Sequence, residues 1–479
     1  MLMGSFIFFL LIFVCIGLLS GLYSKKTKED YLTTGKTTPA WLVALSAVAT
    51  NNSGYMFIGI IGYTYTKGIS AFWLLFGFFF GDYLSSLFIH KKLRISSGQN
   101  DVHSFGELLS RWQGTNYKKL KLLTGLMTII FLSIYAAAQL KAGSKALHVL
   151  FEWDLSIGAL IGGLIVLLYC LAGGMRASIW TDAAQSFVMI FAMGLLFFTA
   201  INSLGGLEAS WEALQKLGPE YLSLNPLKAQ EKGLSAVALF ALGWIFTGFG
   251  VIGQPHIMMR FVTLDNPNDM DKTRRYYYSW YALFSILTLS VGICARLLIP
   301  ETSSFDPELA LPLISMNLLP EILVGLVLAG LFAATMSTAD SQILSCSAAL
   351  VKDIFPKKGQ SLFMTKLATV IVTFFSLSIA LYGSSNVFNL VVIAWSILAA
   401  AFAPLMVLLA LGFFISETMT LIMVMTGVLT ALTWRGFGFS STLPEVGPAI
   451  ASGLLIYFLF RKFKGLKKYP PYQDSDVIP

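Results

Sequence analysis

Apolar residues run through most of the 479-residue chain in long stretches, and short polar segments separate these stretches. An α-helix crosses the hydrocarbon core of a bilayer with about 20 apolar residues. The pattern therefore predicts an all-α polytopic membrane protein with about 13 transmembrane helices. The predicted spans lie near residues 3–22, 40–66, 70–93, 120–148, 155–173, 178–203, 233–262, 276–298, 320–351, 361–383, 387–414, 417–434 and 443–461.

Composition agrees with a membrane protein, since 56% of the residues are hydrophobic, 12% are charged and the mean hydropathy is +0.73. These values lie far outside the averages of soluble proteins. The net charge of +8 comes from Lys and Arg in short loops rather than on one surface. We therefore predict contacts with the lipid bilayer and a small-molecule substrate, no nucleic acid, and a monomer or weak oligomer.

The four cysteines stand singly within apolar runs, without the spacing of a metal site or of paired loop cysteines. We predict that all four are buried packing residues with no redox role. They are Cys15, Cys170, Cys294 and Cys346.

Basic residues follow alternate predicted spans, and the intervening loops carry few of them. The positive-inside rule then predicts an inner (plasma) membrane protein with its N-terminus outside and its C-terminus in the cytoplasm. The first apolar run is followed rather than preceded by basic residues, which favours an uncleaved span over a signal peptide. The basic clusters are Lys25 to Lys28, Lys91 to Arg94, Arg176, Lys272 to Arg275, Lys352 to Lys358 and Arg461 to Lys468.

A polar stretch from Ala49 to Gly54, with the sequence Ala-Thr-Asn-Asn-Ser-Gly, interrupts the second apolar run. Asn and Ser compete for backbone hydrogen bonds and Gly loosens a helix, so carbonyl groups are released here. At membrane depth such a break is tolerated where it is buried in protein or lines a cavity. Freed carbonyls suit a small alkali cation, so we predict that this break forms half of an ion site.

A second interrupted span contains Gly243, Gly248 and Gly250, followed by Gly253-Gln254-Pro255. Broken helices at corresponding places in two halves of a chain are typical of an inverted-repeat transporter with its site at the membrane midplane. The predicted divisions are an extra span with its loop at 1–30, a first repeat at 31–203, an external loop with short helices at 204–232, a second repeat at 233–414, two extra spans at 415–465, and a disordered cytoplasmic tail at 466–479.

The span near 320–351 carries the predicted second half of the ion site. Ser337 and Thr338 are adjacent hydroxyls, and Asp340 and Ser341 follow Ser337 at i+3 and i+4. These spacings place Ser337, Asp340 and Ser341 on one helix face. A carboxylate at the centre of such a hydroxyl cluster indicates cation binding rather than packing alone.

The chain resembles the sodium/solute symporter family, and most closely its sodium/proline branch. The resemblance extends from about Asp30 to about Phe414. The motifs that carry it are Asp30-Tyr31 with Gly35-Lys36, Ala44-Leu45-Ser46-Ala47, Ser53-Gly54, Trp180-Thr181-Asp182, Gly253-Gln254-Pro255-His256 and Met336-Ser337-Thr338.

This resemblance implies a leucine-transporter-type core of five plus five spans, with one extra helix before it and two after. It also implies that sodium is the coupling ion. The main sodium site would use the carbonyls of Ala49, Asn52 and Ala334 with the hydroxyls of Ser337 and Thr338.

Family members with a second sodium site have ligands that match Asp182 and the positions around Ser337, Asp340 and Ser341. Asp340 here stands where those members carry a hydroxyl. A second cation or a proton at Asp182, Asp340 and Ser341 therefore stays open, with one-ion coupling as the default.

The predicted solute site lies between the two breaks and comprises Asn51, Ser53, Tyr135, Phe249 and Gln254. Two departures from the proline branch concern this site. Asn51 replaces an Asp, and Thr247 and Val251 replace a Trp and a Tyr. The solute class is therefore left as an amino acid such as proline, or an organic or sugar acid.

Other ionisable residues lie within predicted spans, where an unpaired charge is costly. Lys141 extends its amine to the outer surface, pairs with Asp82 or Asp340, or receives a substrate carboxylate. We interpret His256 as a hydrogen-bonded histidine near the inner surface, close to Arg260, rather than as a proton relay.

These observations predict a secondary active transporter, not an enzyme, that couples inward sodium flow to uptake of a small polar solute by alternating access. A proton-coupled symporter of the same fold is the nearest alternative. An ion channel or a membrane sensor input domain is the alternative from another class. The polar residues cluster at mid-membrane instead of forming a continuous pore, and no catalytic constellation is present in the sequence.

Overall fold

The protein, in a computed structural model, is helical over almost all of the residues that the structure describes, which are 1–225, 234–300, 305–357, 361–383, 386–441 and 443–464. The α-helices are α1 (Leu2–Ser20), α2 (Lys28–Thr33), α3 (Ala40–Asn51), α4 (Ile61–Lys67), α5 (Phe72–Gln99), α6 (Phe105–Arg111), α7 (Lys118–Phe151), α8 (Leu155–Ser203), α9 (Gly206–Gln215), α10 (Pro219–Leu222), α11 (Leu234–Phe249), α12 (Pro255–Val262), α13 (Met270–Leu298), α14 (Ala310–Leu318), α15 (Glu321–Ala349), α16 (Leu362–Tyr382), α17 (Val387–Ala410), α18 (Glu417–Gly436) and α19 (Val446–Lys464).

Short turns of tighter or wider helix join several of these elements. The π-helical segments are Tyr55–Ile60 and Leu350–Ile354. The 3₁₀ segments are Gly21–Tyr23, Thr34–Lys36, Gly68–Ala71, Gly250–Gly253, Pro267–Asp269, Pro307–Leu309 and Phe439–Ser441.

The helices confirm a polytopic membrane protein. Within the described ranges, nine helical stretches are long and apolar enough to cross a membrane, or ten when the bent pair Val237–Gly253 and Pro255–Val262 counts as one span. Two of the nine, Tyr55–Gln99 and Leu155–Ser203, are 45 and 49 residues long. The second contains two predicted spans, and the first contains one predicted span and part of another. The exact number of thirteen spans stays a prediction.

Gly174 divides α8 into two helical segments. A straight helix of 49 residues would extend about 73 Å, more than twice the thickness of the hydrocarbon core. The helix is broken at Gly174, which has φ 56° and ψ −134°. A Cβ at this glycine would lie 2.5 Å from the carbonyl oxygen of Tyr31 and 2.6 Å from its ring. Glycine therefore allows both the backbone conformation and the close contact with α2.

Helix α15 forms the centre of the molecule and packs against α1, α3, α7, α8 and α16. Of its most apolar window, 89% is buried, compared with 22% for α1. Small residues such as Gly330, Ala333 and Ala334 lie along α15, so the backbones of neighbouring helices approach it closely. The helix that carries Ser337 and Thr338 is thus surrounded by protein rather than lipid.

The ends of two broken spans meet at one short backbone bridge. Thr38 and Leu264 form an isolated parallel bridge, in which Thr38 N donates to Thr263 O (3.0 Å) and Asp265 N donates to Thr38 O (2.9 Å). Arg94 on α5 covers this bridge, since its Nε donates to Leu264 O (2.5 Å) and its Nη2 to Asp265 O (3.0 Å). The segment before α3 and the segment after α12 are therefore joined.

The structure corrects one packing prediction. Cys15 is exposed, whereas Cys170, Cys294 and Cys346 are buried as predicted. Helix α1 lies at the edge of the bundle, and an apolar run does not distinguish a face that packs on protein from a face that meets lipid. The short helices predicted for the external loop are α9 and α10. The remainder of that loop at 226–232, Lys358 and the tail at 466–479 lie outside the described residues.

Candidate functional site for sodium and solute

The first break has the position that the sequence predicts. Helix α3 ends at Asn51, and Asn52 has the non-helical angles φ −89° and ψ 61°. The backbone N–H of Gly54 donates to Gln139 Oε1 at 3.0 Å. A Cβ at Gly54 would lie 2.5 Å from Thr335 Cγ2 on α15. A glycine here lets the break pack directly against the central helix.

An oxygen cluster joins α3 to α15 immediately before the break. Ser337 Oγ lies 3.3 Å from Ala49 O and 3.1 Å from Ala334 O. Thr338 Oγ1 lies 2.9 Å from Thr50 O and 3.2 Å from Ala334 O. Uncharged carbonyl and hydroxyl oxygens at this spacing form a donor set that suits a small alkali cation.

The cluster brings together four of the five residues predicted for the main sodium site, namely Ala49, Ala334, Ser337 and Thr338. Asn52 lies at the break, and its buried Oδ1 has no hydrogen-bond partner among the described residues. The carbonyl of Thr50 is a member that sequence reasoning missed. The signal was available, because the last carbonyls of an interrupted helix have no partner within that helix.

A charged cluster lies next to this oxygen cluster and contains the three residues predicted for a second cation or proton. Asp340 Oδ1 accepts from Ser178 Oγ at 2.6 Å and from Ser341 Oγ at 3.0 Å, and Asp340 Oδ2 accepts from Tyr169 at 2.8 Å. Asp182 Oδ2 accepts from Ser46 Oγ at 2.6 Å. The two carboxylates come from α15 and α8 and are fully buried.

Arg260 lies between these two carboxylates, which the sequence analysis did not predict. Its Nη2 is 3.3 Å from Asp340 Oδ1 and 3.4 Å from Asp182 Oδ2. The side chain is 0% exposed and comes from α12, directly after the second break. The available signal was an arginine in a buried apolar segment, which requires a nearby counter-charge. The partner itself is 80 residues away along the chain.

Asp82 connects Asn51 to α13. Its Oδ2 accepts from Tyr277 at 2.8 Å and from Asn51 Nδ2 at 3.4 Å, and its Oδ1 accepts from Tyr278 at 2.9 Å. Asn51 Nδ2 also donates to the hydroxyl of Tyr277 at 2.7 Å. This buried carboxylate is therefore held by neutral donors and fixes the orientation of the Asn51 amide.

Lys141 has a different environment from the pairing considered in the sequence analysis. Its Nζ donates to the carbonyl of Gly383, at the end of α16, at 2.6 Å. The carboxylates of Asp82 and Asp340 accept from the tyrosine, serine, asparagine and arginine donors described above. The outward extension of Lys141 agrees with this geometry.

His256 is not hydrogen-bonded in the way that the sequence analysis expected. It is buried, its ring packs edge-on against Tyr135 with centroids 5.6 Å apart, and neither ring nitrogen has a hydrogen-bond partner among the described residues. His256 is the second residue of α12, directly after the second break. Sequence spacing does not reveal the contact with Tyr135, because Tyr135 belongs to α7.

A cavity lies beside the first break and comprises about 490 Å³ of space between atoms, only a small part of which admits a water-sized molecule in this conformation. Two predicted solute residues, Asn51 and Tyr135, line it. Ser53 Oγ lies 3.4 Å from the hydroxyl of Tyr135. The other lining residues are Tyr55, Met56, Ile60, Leu75, Phe78, Trp244, Thr247, Tyr281, Val391, Val392 and Trp395.

The other three residues predicted for the solute site, Ser53, Phe249 and Gln254, do not line this cavity. Gln254 is buried, and its Nε2 donates to Trp395 O at 3.0 Å. Trp395 Nε1 in turn donates to Thr247 O at 3.0 Å. Gln254 thus supports a wall of the cavity that Trp395 completes.

The cavity wall is aromatic and uncharged. Six of its lining residues are Phe, Trp or Tyr, and none is Asp, Glu, Lys, Arg or His. Trp244 and Trp395 provide the broad apolar surfaces, and sequence reasoning missed both. Trp395 lies on α17, so its contact with α11 is visible only after folding.

The chain matches the model of the family "Sodium:solute symporter family" over residues 31–430. The sodium/proline symporter of Escherichia coli (strain K12) is 25% identical over 472 residues, which cover 95% of this chain and 92% of that protein. The sodium/proline symporter of Staphylococcus aureus is 28% identical over 417 residues, covering 84% of this chain and 80% of that protein.

Two solved structures have a similar fold. A sodium-coupled sialic acid symporter in a substrate-bound outward-open state has a TM-score of 0.83 and 17% identity, with 98% of both chains covered. Mhp1, a nucleobase-cation-symport-1 family transporter in a closed conformation, has a TM-score of 0.62 and 13% identity, with 94% of this chain and 98% of Mhp1 covered. These similarities confirm the leucine-transporter-type fold.

The family match covers most of the chain and includes both breaks, the oxygen cluster and α15. It confirms sodium as the coupling ion and transport rather than enzymatic catalysis as the activity. The chain belongs to the sodium:solute symporter family and is a multi-pass membrane protein that couples the uptake of a small solute to sodium.

Proposed function

We propose that this symporter takes up a small zwitterionic amino acid with a compact apolar body, such as proline, together with one sodium ion. The observation that carries this proposal is the uncharged, aromatic-walled cavity beside the first break. The curated relatives named above are sodium/proline symporters, which supports the same solute class.

The cavity offers recognition for each part of such a solute. Trp244 and Trp395 present apolar faces to an aliphatic ring, and aromatic faces also attract a positively charged ammonium group. Asn51 and the hydroxyl of Tyr135 are among the polar groups available to a carboxylate or ammonium. Six of the lining residues are aromatic and none is charged, so an amino acid with an apolar body is a better candidate than a sugar acid.

The sodium site proposed here consists of the oxygens of Ala49, Ala334, Ser337 and Thr338, with Thr50 and Asn52 at its edge. Ser337 and Thr338 supply oxygens from α15, and the carbonyls come from the end of α3 and from α15 itself. A sodium ion there would bridge the broken helix to the central helix. It would thereby stabilise one conformation of the break and raise the affinity for solute.

The remaining organisation is proposed from the sequence. The N-terminus lies outside and the C-terminus in the cytoplasm, following the positive-inside pattern. The two repeats comprise residues 31–203 and 233–414, with extra spans at 1–30 and 415–465. The protein functions as a monomer or weak oligomer in the plasma membrane.

Thermal unfolding of the detergent-purified protein in sodium and in potassium tests this proposal. A ligand at 100 times its dissociation constant that binds only the folded state adds about 2.7 kcal/mol of stability. We expect a sodium-specific rise in the unfolding temperature that is lost in Ser337→Ala/Thr338→Ala. Proline or a similar amino acid is expected to raise it further in sodium only.

A panel of amino acids, sugar acids and monocarboxylates identifies the solute. A sodium-dependent shift with sugar acids and none with amino acids would overturn the proposed solute class. Stabilisation by low pH without any effect of sodium would instead favour proton coupling.

A further inference from the structure

An open groove lies on the surface of the helix bundle between α5 and α13, away from the solute cavity. It comprises about 1110 Å³, including the open space in front of it. Its lining includes two arginines, Arg274 and Arg275, and two tyrosines, Tyr83 and Tyr278. Both helices belong to stretches that are long and apolar enough to cross a membrane. The arginines belong to the first turns of α13, so the groove lies where this span ends.

Arg275 is the basic residue of this groove that has no acidic partner. Arg274 Nη1 lies 2.6 Å from Asp271 Oδ1, which also lines the groove, and Lys272 Nζ lies 2.7 Å from Asp269 Oδ1. Arg275 is exposed, and no residue in the described part of the chain forms a hydrogen bond or ion pair with it. The groove therefore presents a guanidinium whose N–H donors are available to a ligand.

Two contacts between α5 and α13 form the walls of the groove. Arg274 Nε donates to Ser86 Oγ at 3.2 Å, and its Nη2 donates to Ser86 O at 3.1 Å. The ring of Tyr83 packs edge-on against the ring of Tyr278, with centroids 5.1 Å apart. The groove is thus formed by contacts within the protein before any ligand binds.

The groove continues into an apolar surface towards the middle of the spans. On α13, the exposed residues Ser279, Leu283 and Ile286 follow Arg275 on the same face of the helix. On α5, Phe80 is exposed one turn before Tyr83. A charged end that continues into an apolar surface matches a ligand with a charged headgroup and a hydrocarbon chain.

The chemistry of the charged end favours a phosphate group at a membrane surface. A guanidinium binds phosphate through two parallel hydrogen bonds, and basic pockets between transmembrane helices bind anionic lipid headgroups. Tyr83 is 37% exposed, and tyrosines are enriched where spans meet the headgroup region. A water-soluble anion would use the guanidinium but leave the apolar surface uncovered. A phospholipid covers both.

We propose that this groove is a binding site for one anionic phospholipid, whose phosphate binds to Arg275 and whose acyl chain lies along Ser279 and Ala282. The proposed orientation of the chain places the site in the cytoplasmic leaflet. The inference goes beyond the proposed function and does not depend on the identity of the ion or the solute, because neither lies in this groove.

The site has a structural link to the solute cavity. The hydroxyl of Tyr278 donates to Asp82 Oδ1, and Asp82 Oδ2 accepts from Asn51, which lines the cavity. A lipid in the groove contacts the two helices that carry Tyr278 and Asp82. We therefore expect the bound lipid to stabilise the folded protein.

Native mass spectrometry of the purified full-length chain in detergent tests the site. The protein is titrated with phosphatidylglycerol and, separately, with phosphatidylcholine of the same acyl chains. We expect one phosphatidylglycerol to bind more tightly than phosphatidylcholine. Arg275→Gln is expected to weaken only the binding of phosphatidylglycerol, by about fivefold, the ratio for one basic residue at a membrane surface. Equal affinity of the wild type for the two lipids would overturn the inference.

Lys272→Gln is the matched control for charge. It removes a basic residue of the same helix that is 59% exposed and does not line the groove. Its affinity for phosphatidylglycerol is expected to equal that of the wild type. Equal losses in Lys272→Gln and Arg275→Gln would mean that the basic surface attracts anionic lipids in general, and would overturn the specific site. The unfolding temperatures of both variants without lipid show that they are folded.

Ser279→Trp tests the groove without changing any charge. Its indole occupies space beside Arg275, so we expect weaker binding of phosphatidylglycerol. Ser378→Trp, at an exposed serine of α16, is the control and is expected to bind like the wild type. Undiminished binding in Ser279→Trp would overturn the inference. A dimer that dissociates in Arg275→Gln would mean that a second copy of the chain occupies the groove, and would also overturn it.

Discussion

The oxygen cluster and the charged cluster lie one turn apart on α15, but they surround a cation with different groups. The oxygen cluster offers neutral carbonyls and hydroxyls from a broken helix. The charged cluster offers two carboxylates, and a guanidinium of the same chain already neutralises one of them. A neutral donor set can release its ion, whereas a covalently attached cation stays. The difference separates the proposed sodium site from a cluster whose cation belongs to the protein.

The largest effect on stability is expected when the guanidinium of Arg260 is removed from the charged cluster. Arg260→Met leaves two buried carboxylates without their partner, and breaking a buried ion pair costs about 3–5 kcal/mol. We expect a large fall in the unfolding temperature in the absence of sodium. Adding Asp340→Asn to Arg260→Met is expected to recover part of the loss, because the two residues interact directly. Additive effects of the two changes would contradict the pairing.

A smaller loss is expected at the contact between the first break and α15. In Gly54→Ala the new methyl group meets Thr335 Cγ2 at 2.5 Å, and overpacking of this kind costs up to about 3 kcal/mol. The rise in unfolding temperature that sodium causes should also be smaller in Gly54→Ala, because the oxygen cluster depends on the contact between the break and α15. Gly194→Ala on α8 is the control, since nothing lies within 4 Å of its Cβ. Equal effects of both substitutions would contradict the structural reason.

Asp82→Asn should weaken solute binding without changing sodium binding, and so tests whether the two sites are independent. Asn51 lines the cavity and donates to Asp82, and a hydrogen bond to a charged group contributes about 2 kcal/mol, or about 30-fold in affinity. We expect weaker solute binding in sodium with an unchanged sodium shift. Tyr278→Phe removes a different donor to Asp82 and leaves Asn51 in place, so it serves as the control. Loss of the sodium shift in Asp82→Asn would show that the two sites are not separable.

The smallest effect is expected at an ion pair outside the membrane spans. Burial alone raises the pKa of the Asp30 carboxyl. The hydrogen bond and charge of Arg176, together with the donors from Lys25 and Ser24, lower the pKa by more than burial raises it. The pKa of Asp30 therefore lies below its ordinary value. This stability is present at neutral pH and is lost as the pH falls through the lowered pKa. Asp30→Asn should cost about 1 kcal/mol at pH 7, and this cost should shrink as the pH falls below the ordinary pKa of an aspartate. A constant difference from pH 7 to pH 3 would contradict this assignment.

The sequence alone was sufficient to predict the features that depend on neighbouring residues in the chain. The apolar runs predicted the spans, and the Asn-Asn-Ser-Gly stretch predicted the end of α3 because such residues do not continue a helix. The i, i+3 and i+4 spacing placed Ser337, Asp340 and Ser341 on one face. These residues do meet the expected neighbours on α3 and α8.

The features that sequence missed all depend on contacts between distant segments. Arg260 meets Asp340, and Trp395 meets Thr247, only after α12 and α17 have packed against other helices. Gln254 was predicted as a solute residue because it lies at the second break, but its amide donates to the carbonyl of Trp395 instead. A polar residue near a break can bind a ligand or support the wall of a cavity. Its position in the sequence does not distinguish these two roles.

The backbone bridge between Thr38 and Leu264 has a kinetic consequence. It ties the segment before the first break to the segment after the second break, so we expect the two segments to move together. Because main-chain groups make the bridge, its strength does not depend on the side chains at these two positions. Collective hinge motions of packed elements occur in microseconds to milliseconds. The two half-helices should therefore move as one unit in a single relaxation, rather than in two steps with separate rates.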